Sequence, residues 1–333
     1  MQESVRLVMP VWQLRQLLPH ELLHFGNYSV RLPTLALREL AIYRDLQYTR
    51  YIARKEAIVA QEKWLVDGPK TIDVENIRKL KVGLISGQVD IVGHDEPGVR
   101  VEIHSVSGRQ LKVSVEGDTL EIDHPQLNWD NWLDVFKSFR GTARADLSIM
   151  VPRSIRLKFG VVNADALVSG IHGDATISTV NGDLVLDGLS GDIQINSVSG
   201  EIAVRNHTGK LAVHAINGDV TVSGAISSMT SDSVSGDVFA DISGSPDKLR
   251  LSTVSGSIMA RLDAGVPVAY TINTVNGRLQ LDDAEISGIH GRYSSKYGEL
   301  DGQWLDFRAN TVSGNVSVLH TARTAANSSA DSA

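Results

Sequence analysis

The chain of 333 residues contains no cysteine. That excludes disulfides, thiolate metal sites and a cysteine nucleophile. Aromatics are scarce at 5%, whereas glycine contributes 29 residues, a combination that indicates many turns around a thin core. There is no excess of positive charge: the formal net charge is −7, which disfavours nucleic acid as a partner. No apolar run approaches the roughly 20 residues of a membrane-spanning helix. Near the start, Gln13, Arg15, Gln16, Pro19 and His20 break the apolar stretch that a signal peptide needs. The expectation from these absences is a cytoplasmic protein.

What is present is a repeat. From Gly173 the sequence falls into units of nine: GDATISTVN, GDLVLDGLS, GDIQINSVS, GEIAVRNHT, GKLAVHAIN, GDVTVSGAI, SSMTSDSVS, GDVFADISG. Gly173, Gly182, Gly191, Gly200, Gly209, Gly218 and Gly236 share this grid, and Ser227 interrupts it. Alternate units resemble each other more than neighbours do. Val-(Asn/Ser)-Gly-(Asp/Glu) starts at Val180, Val198 and Val234, with Ile216 replacing Val once, so the true period is 18. Within each nine, the third, fifth and often the eighth positions are apolar, as at Leu184, Leu186 and Leu189 or Ile193, Ile195 and Val198. Apolar residues two apart mark short strands with one buried face. A unit of nine is too short for a crossover helix. The economical solution is an all-β fold, a parallel β-solenoid with about 18 residues and two strands per coil, its coils stacked ~4.8 Å apart.

The rhythm continues upstream at Val162-Asn163-Ala164-Asp165 and downstream at Val254-Ser255-Gly256, Val275-Asn276-Gly277 and Val312-Ser313-Gly314. The wider downstream intervals imply loop insertions near 244–246 and 265–267 and a longer one at 282–304. The expected organisation is therefore an extension over 1–58, an N-terminal β region over 59–125 that caps the solenoid, a short amphipathic helix over 126–141, solenoid repeats over 142–320, and a disordered small-residue tail over 321–333. Two readings of 1–58 stand open. One is a helical extension, from the helix formers of 37–61. The other is a start codon placed too far upstream: Arg54-Lys55-Glu56-Ala57 can be encoded by a ribosome-binding sequence, with Val59 as the true start.

Several side-chain groups invite a chemical reading. Asp183, Glu201, Asp219 and Asp237 recur at period 18, with Asp174 and Asp192 on the opposite corner. Stacked carboxylates repel and attract cations, yet the calcium-roll pattern is missing, so solvated turn residues are the expectation. Asn163, Asn181, Ser199, Asn217, Ser235, Ser255 and Asn276 form a column suited to a side-chain ladder. Among 10 histidines none has zinc-site spacing, and His207 occupies an apolar-pattern position, hence an inward one. There is no G-x-S-x-G elbow and no phosphate loop. The expected cofactor and metal complement is none. In 126–141, Trp129, Trp132, Leu133 and Phe136 fall at i, i+3, i+4 and i+7, an apolar helix face that packs over the solenoid end or meets a partner or membrane interface.

The recurrent TVNGDL, SVSGEI, SVSGDV, STVSGSI, NTVNGRL and NTVSGNV, together with DLSIMVPRSIRLKF before them, resemble the bacterial putative-adhesin family over roughly residues 64–320. The resemblance implies a β-solenoid domain of unknown function with no catalytic residues to carry over, and a cell-surface location as the alternative to the cytoplasm. The expectation is a non-enzymatic binding or scaffold module whose repetitive faces meet a protein or glycan. The alternatives are a polysaccharide-active β-helix enzyme and a cytoplasmic accessory of an envelope-stress or regulatory system. Open solenoid ends also offer edges for pairing with a second copy.

Overall fold

A computed structural model of the chain describes residues 22–25, 28–31, 62–124, 143–286 and 291–321. The chain divides into two units, 1–60 and 61–333. In the first, Leu22–Phe25 and Tyr28–Arg31 pair antiparallel, Leu22 opposite Arg31 and Phe25 opposite Tyr28. The helical segment expected at 37–61, the Trp129–Phe136 helix and the tail from 322 all lie outside the described residues. No helix is present among the described residues.

The second unit is a parallel solenoid with two sheet faces, here called A and B. One coil shows the construction. Ala175–Asn181 runs on face A, Gly182-Asp183 turns the corner, Leu184–Asp187 runs on face B, and the next face-A strand follows. Register then advances by 18: Ala175 pairs Ile193, Ile177 pairs Ile195, and Leu184 pairs Ile202. Inward side chains of the two faces fill the space between them. Ile177, Ile195, Val213 and Leu251 on face A and Leu186, Val204, Val222 and Ala240 on face B are all fully buried. Each such aliphatic contributes ~1.5–3 kcal/mol.

Glycine sits at the corner because coils touch there backbone to backbone. At Gly200, φ is +120°, and a Cβ would lie 2.1 Å from the carbonyl oxygen of Gly182 one coil below. Gly182, Gly218 and Gly236 meet the same obstacle, as do Gly173 and Gly209 on the opposite corner, while Gly191 is less tightly opposed. Where Ser227 interrupts the grid, its hydroxyl donates to Gly209 O at 3.1 Å.

Both ends depart from sequential winding. On face A the strands stack in the order 62–66, 111–116, 119–123, 79–84, 156–161, 175–181, 190–199, 211–217, 228–235, 248–255, 305–313, 268–276, 291–297. Lys79–His94 thus lies between the coil formed by Thr119–Asp123 and Arg144–Pro152 and the coil Arg156–Ser169. The segment read as a cap therefore includes a full internal coil. At the other end Leu305–Thr321 inserts between Lys248–Asp263 and Val268–Leu281. The expected long loop at 282–304 contributes Ala284–Ile286 and Gly291–Tyr297, which pair antiparallel onto the outermost coil.

Candidate binding surfaces

A second difference from the sequence reading concerns the apolar eighth position. On the corner after face B it points inward, as Ile171 and Leu189 show. At the end of face A it points outward. Ile216, Val234, Val254, Val312 and Val275 are 48–59% exposed. The inward position beside them is taken by Ala215, Ser233, Thr253, Thr311 and Thr274, and beside Val180 and Val198 by Thr179 and Ser197, all buried. Small hydroxyl side chains fit under the glycine corner, and Thr253 and Thr311 donate to Gly236 O and Gly256 O at 3.4 Å. The motif valines thus form an aliphatic ridge along one edge of face A. Val254, Val275 and Val312 line an open groove of about 480 Å³ with Asn273, Asn310 and Arg292.

The outward columns of face A are polar. One runs Ser178, Asn196, His214, Asp232, Ser252, Asn310, Asn273 in register. Its amides link layers: Asn196 Nδ2 donates to Ser178 Oγ at 3.4 Å, Asn310 Nδ2 to Ser252 Oγ at 3.2 Å, and Asn273 Nδ2 to Asn310 Oδ1 at 2.7 Å. A parallel column carries Lys158, Thr176, Gln194, Ala212 and Thr230. All five line a groove of about 650 Å³ together with Lys79, Lys81, Arg156, Asp174, Asp192 and Lys210. No aromatic side chain interrupts either column.

The acidic corner has a structural task. Asp165 Oδ1 accepts the Asp183 N–H and Asp183 Oδ1 accepts that of Glu201, both at 2.9 Å. Asp219 Oδ1 accepts that of Asp237 at 2.8 Å, and Asp237 Oδ1 that of Ser257 at 2.7 Å. On the other corner Asp174 Oδ1 accepts the Asp192 N–H at 3.3 Å, and Lys210 lies 3.5 Å from Asp192. Asp165, Asp174, Asp183, Asp219 and Asp237 thus each cap the backbone of the next coil. In the Asn/Ser column, Asn181 Nδ2 donates to Asn163 Oδ1 at 2.6 Å.

His207 is fully buried, with Nδ1 3.0 Å from Leu189 O and Nε2 3.2 Å from Lys210 O. His124, not singled out by sequence, is equally buried; its Nδ1 accepts the Ile85 N–H at 3.3 Å. Burial pushes its pKa down to about 4. No group of three or more His, Asp or Glu arranged to hold a metal occurs among the described residues. No helix long and apolar enough to cross a membrane occurs among them either. Trp129, Trp132, Leu133 and Phe136 lie outside the described residues.

Residues 77–319 match the Toastrack DUF4097 family. The chain belongs to this family. Three solved structures are similar. A putative cell adhesion protein from Clostridium sporogenes shares 15% identity, covering 76% of this chain and 100% of its own, with a TM-score of 0.26. A putative adhesin from Bacteroides fragilis shares 12%, covering 75% and 97%, with a TM-score of 0.38. A putative lipid binding protein from Parabacteroides distasonis shares 12%, covering 76% and 97%, with a TM-score of 0.36. No functionally curated protein matches the chain.

Proposed function

We propose that this Toastrack chain is a non-enzymatic binding or scaffold module that presents face A to a protein or glycan partner. The observation that carries the reading is the outward surface of face A. Stacked strands align hydroxyl and amide side chains in columns, bordered by the exposed ridge Ile216–Val234–Val254–Val312–Val275. A surface built this way offers hydrogen bonds at a fixed ~4.8 Å repeat along its length. The recurrent carboxylates are engaged as backbone caps, rather than aimed across a cleft as a glycosidase pair would be.

The test uses the full chain on a glycan array, and in cells with a photocrosslinking residue at Gln194 on face A or Thr221 on face B. Expected are saturable binding of a glycan or one discrete crosslinked species from Gln194, none from Thr221, and loss of either with Asn196→Arg. Absence of any saturable ligand, or depolymerisation of an arrayed polysaccharide, overturns the reading.

A further inference from the structure

The second column of face A changes character at its ends. In unbroken register it reads Glu121, Lys81, Lys158, Thr176, Gln194, Ala212, Thr230, Arg250, Arg308, Thr271. A pair of cations in adjacent layers stands on either side of four neutral side chains, and Glu121 stands beyond Lys81. Like charges directly opposite on neighbouring strands are destabilising. Arg250 opposite Arg308 therefore opposes the stacking that the rest of the column favours, whereas Lys81 lies between Lys158 and Glu121. A net charge of −7 for the chain makes both clusters exceptions to its average.

The C-terminal cluster is a formed pocket. Arg250, Arg292 and Arg308 line an open cavity of about 440 Å³ whose other walls include Thr230, Thr271 and Asn273, with Asp232 as its carboxylate. Arg308 is held by Asp306, Nε to Oδ1 and Nη2 to Oδ2, both at 3.0 Å. Asp232 lies 3.5 Å from His214. Arg250 Nε is buried and has no hydrogen-bond partner among the described residues. A guanidinium with an unmade buried bond is an unsatisfied donor, and its planar fork matches a carboxylate or sulfate. The hydroxyl and amide walls suit a ligand that carries hydroxyls. The absence of aromatics along the column leaves no platform for a stacked base.

We propose that this column is a track for an acidic polysaccharide, whose anionic groups are taken by Arg250 and Arg292 at one end and by Lys81 and Lys158 at the other. Seven layer steps separate Lys81 from Arg308, roughly 34 Å at sheet spacing, so a polymer rather than a single sugar fits it. The proposal rests on the reading of face A as a binding surface and assigns that surface a ligand class.

The experiment measures binding of the full chain to immobilised polygalacturonate (carboxylate), dextran sulfate (sulfate), neutral dextran and duplex DNA in about 0.1 M salt. Expected is binding to one or both acidic polysaccharides and none to dextran. Arg250→Gln with Arg292→Gln weakens binding at least about tenfold without lowering the melting temperature, and Arg250→Lys recovers part of the loss. Lys81→Gln with Lys158→Gln weakens long chains but not short oligomers. Unchanged binding by the arginine variant, equal binding of dextran, or tighter binding of DNA than of either polysaccharide overturns the proposal. If acidic polysaccharides fail while another ligand binds face A, this inference falls and the binding-module reading stands. If nothing binds, both fall.

Discussion

Gly200→Ala tests the corner contact from which the stack is built. At φ +120° an alanine occupies backbone space that only glycine visits readily, costing ~1–3 kcal/mol. Its Cβ would also lie 2.1 Å from Gly182 O and 2.8 Å from Gly182 C. Those are backbone atoms of the adjacent coil, so no side chain can swing aside. Separating the coils locally adds an overpacking cost of ~1–3 kcal/mol. The alanine's loss of unfolded-chain freedom returns only ~0.4–1 kcal/mol. The expected net destabilisation is about 1–5.5 kcal/mol. Gly188→Ala is the control: φ there is +63°, with nothing within 4 Å of the added carbon. It should cost only the left-handed penalty of ~1–2 kcal/mol less the same unfolded-chain return, about 0–1.5 kcal/mol net. Urea unfolding followed by far-ultraviolet circular dichroism gives both numbers under one condition. Equal costs for the two substitutions would show that the backbone contact between coils is not what demands glycine, and would refute the reasoning.

Three further outcomes are expected. His124 is neutral when buried, with a pKa of about 4 against an ordinary 6.5, so its contribution is full above pH 6.5 and is lost as pH falls towards 4, by at most about 3 kcal/mol; the stability difference between wild type and His124→Gln should narrow over that window in urea titrations, and parallel curves would contradict it. Asp183→Ala should cost about 1 kcal/mol by removing the acceptor of the Glu201 N–H, whereas Asp183→Asn should stay within about 0.5 kcal/mol; a calcium-dependent rise in melting temperature lost in the Asn variant would make the column a cation site instead. Deleting 305–333 removes the strands that join Lys248–Asp263 to Val268–Leu281, so limited proteolysis should cut the truncated chain just after Asp263, and resistance there would speak against the inserted coil.

The period, the two strands per coil and the corner glycines were legible because stacking imposes one constraint on every coil. Ile177, Ile193 and Ile195 had to alternate with polar neighbours, and they do face inward. Periodicity fails where two adjacent residues compete for the inside. At Thr179-Val180 hydropathy favours valine, but the room beside a glycine corner admits the smaller chain, so threonine is buried and valine turns out. Stack order was illegible for another reason. Ile85-Ser86-Gly87-Gln88 is a degenerate copy of the motif, with Ser86 opposite Asn163 and Gly87 opposite Ala164, but it lies far from the 18-residue grid. The arginine pocket was hidden by the same irregularity: Arg250 lies on a sequential coil, Arg308 on the inserted one and Arg292 on an antiparallel cap.

The two ends solve one problem in the same way, and this bears on where a partner can attach. A solenoid that stopped at its last parallel coil would present two long unpaired edges, a template for another chain. Here each end places a sequence-distant coil inside the stack and closes the outside with antiparallel strands. The outermost strands that result are short or polar: Glu62–Val66, Lys70–Val74, Ala284–Ile286 and the sequence GRYSSKY at Gly291–Tyr297. Such edges are poor templates for pairing with a second copy, which directs association to the faces. The device also couples the proposed site to completion of the fold. Arg308 and Val312 lie on the coil that is last in sequence, which pairs on both sides, with Lys248–Ser255 and with Val268–Asn276. Without that coil, Arg250 has no register neighbour on this side and the ridge has no residue between Val254 and Val275. The arginine pocket and the aliphatic edge of face A are therefore products of the closed C-terminal end, not of the repeat alone.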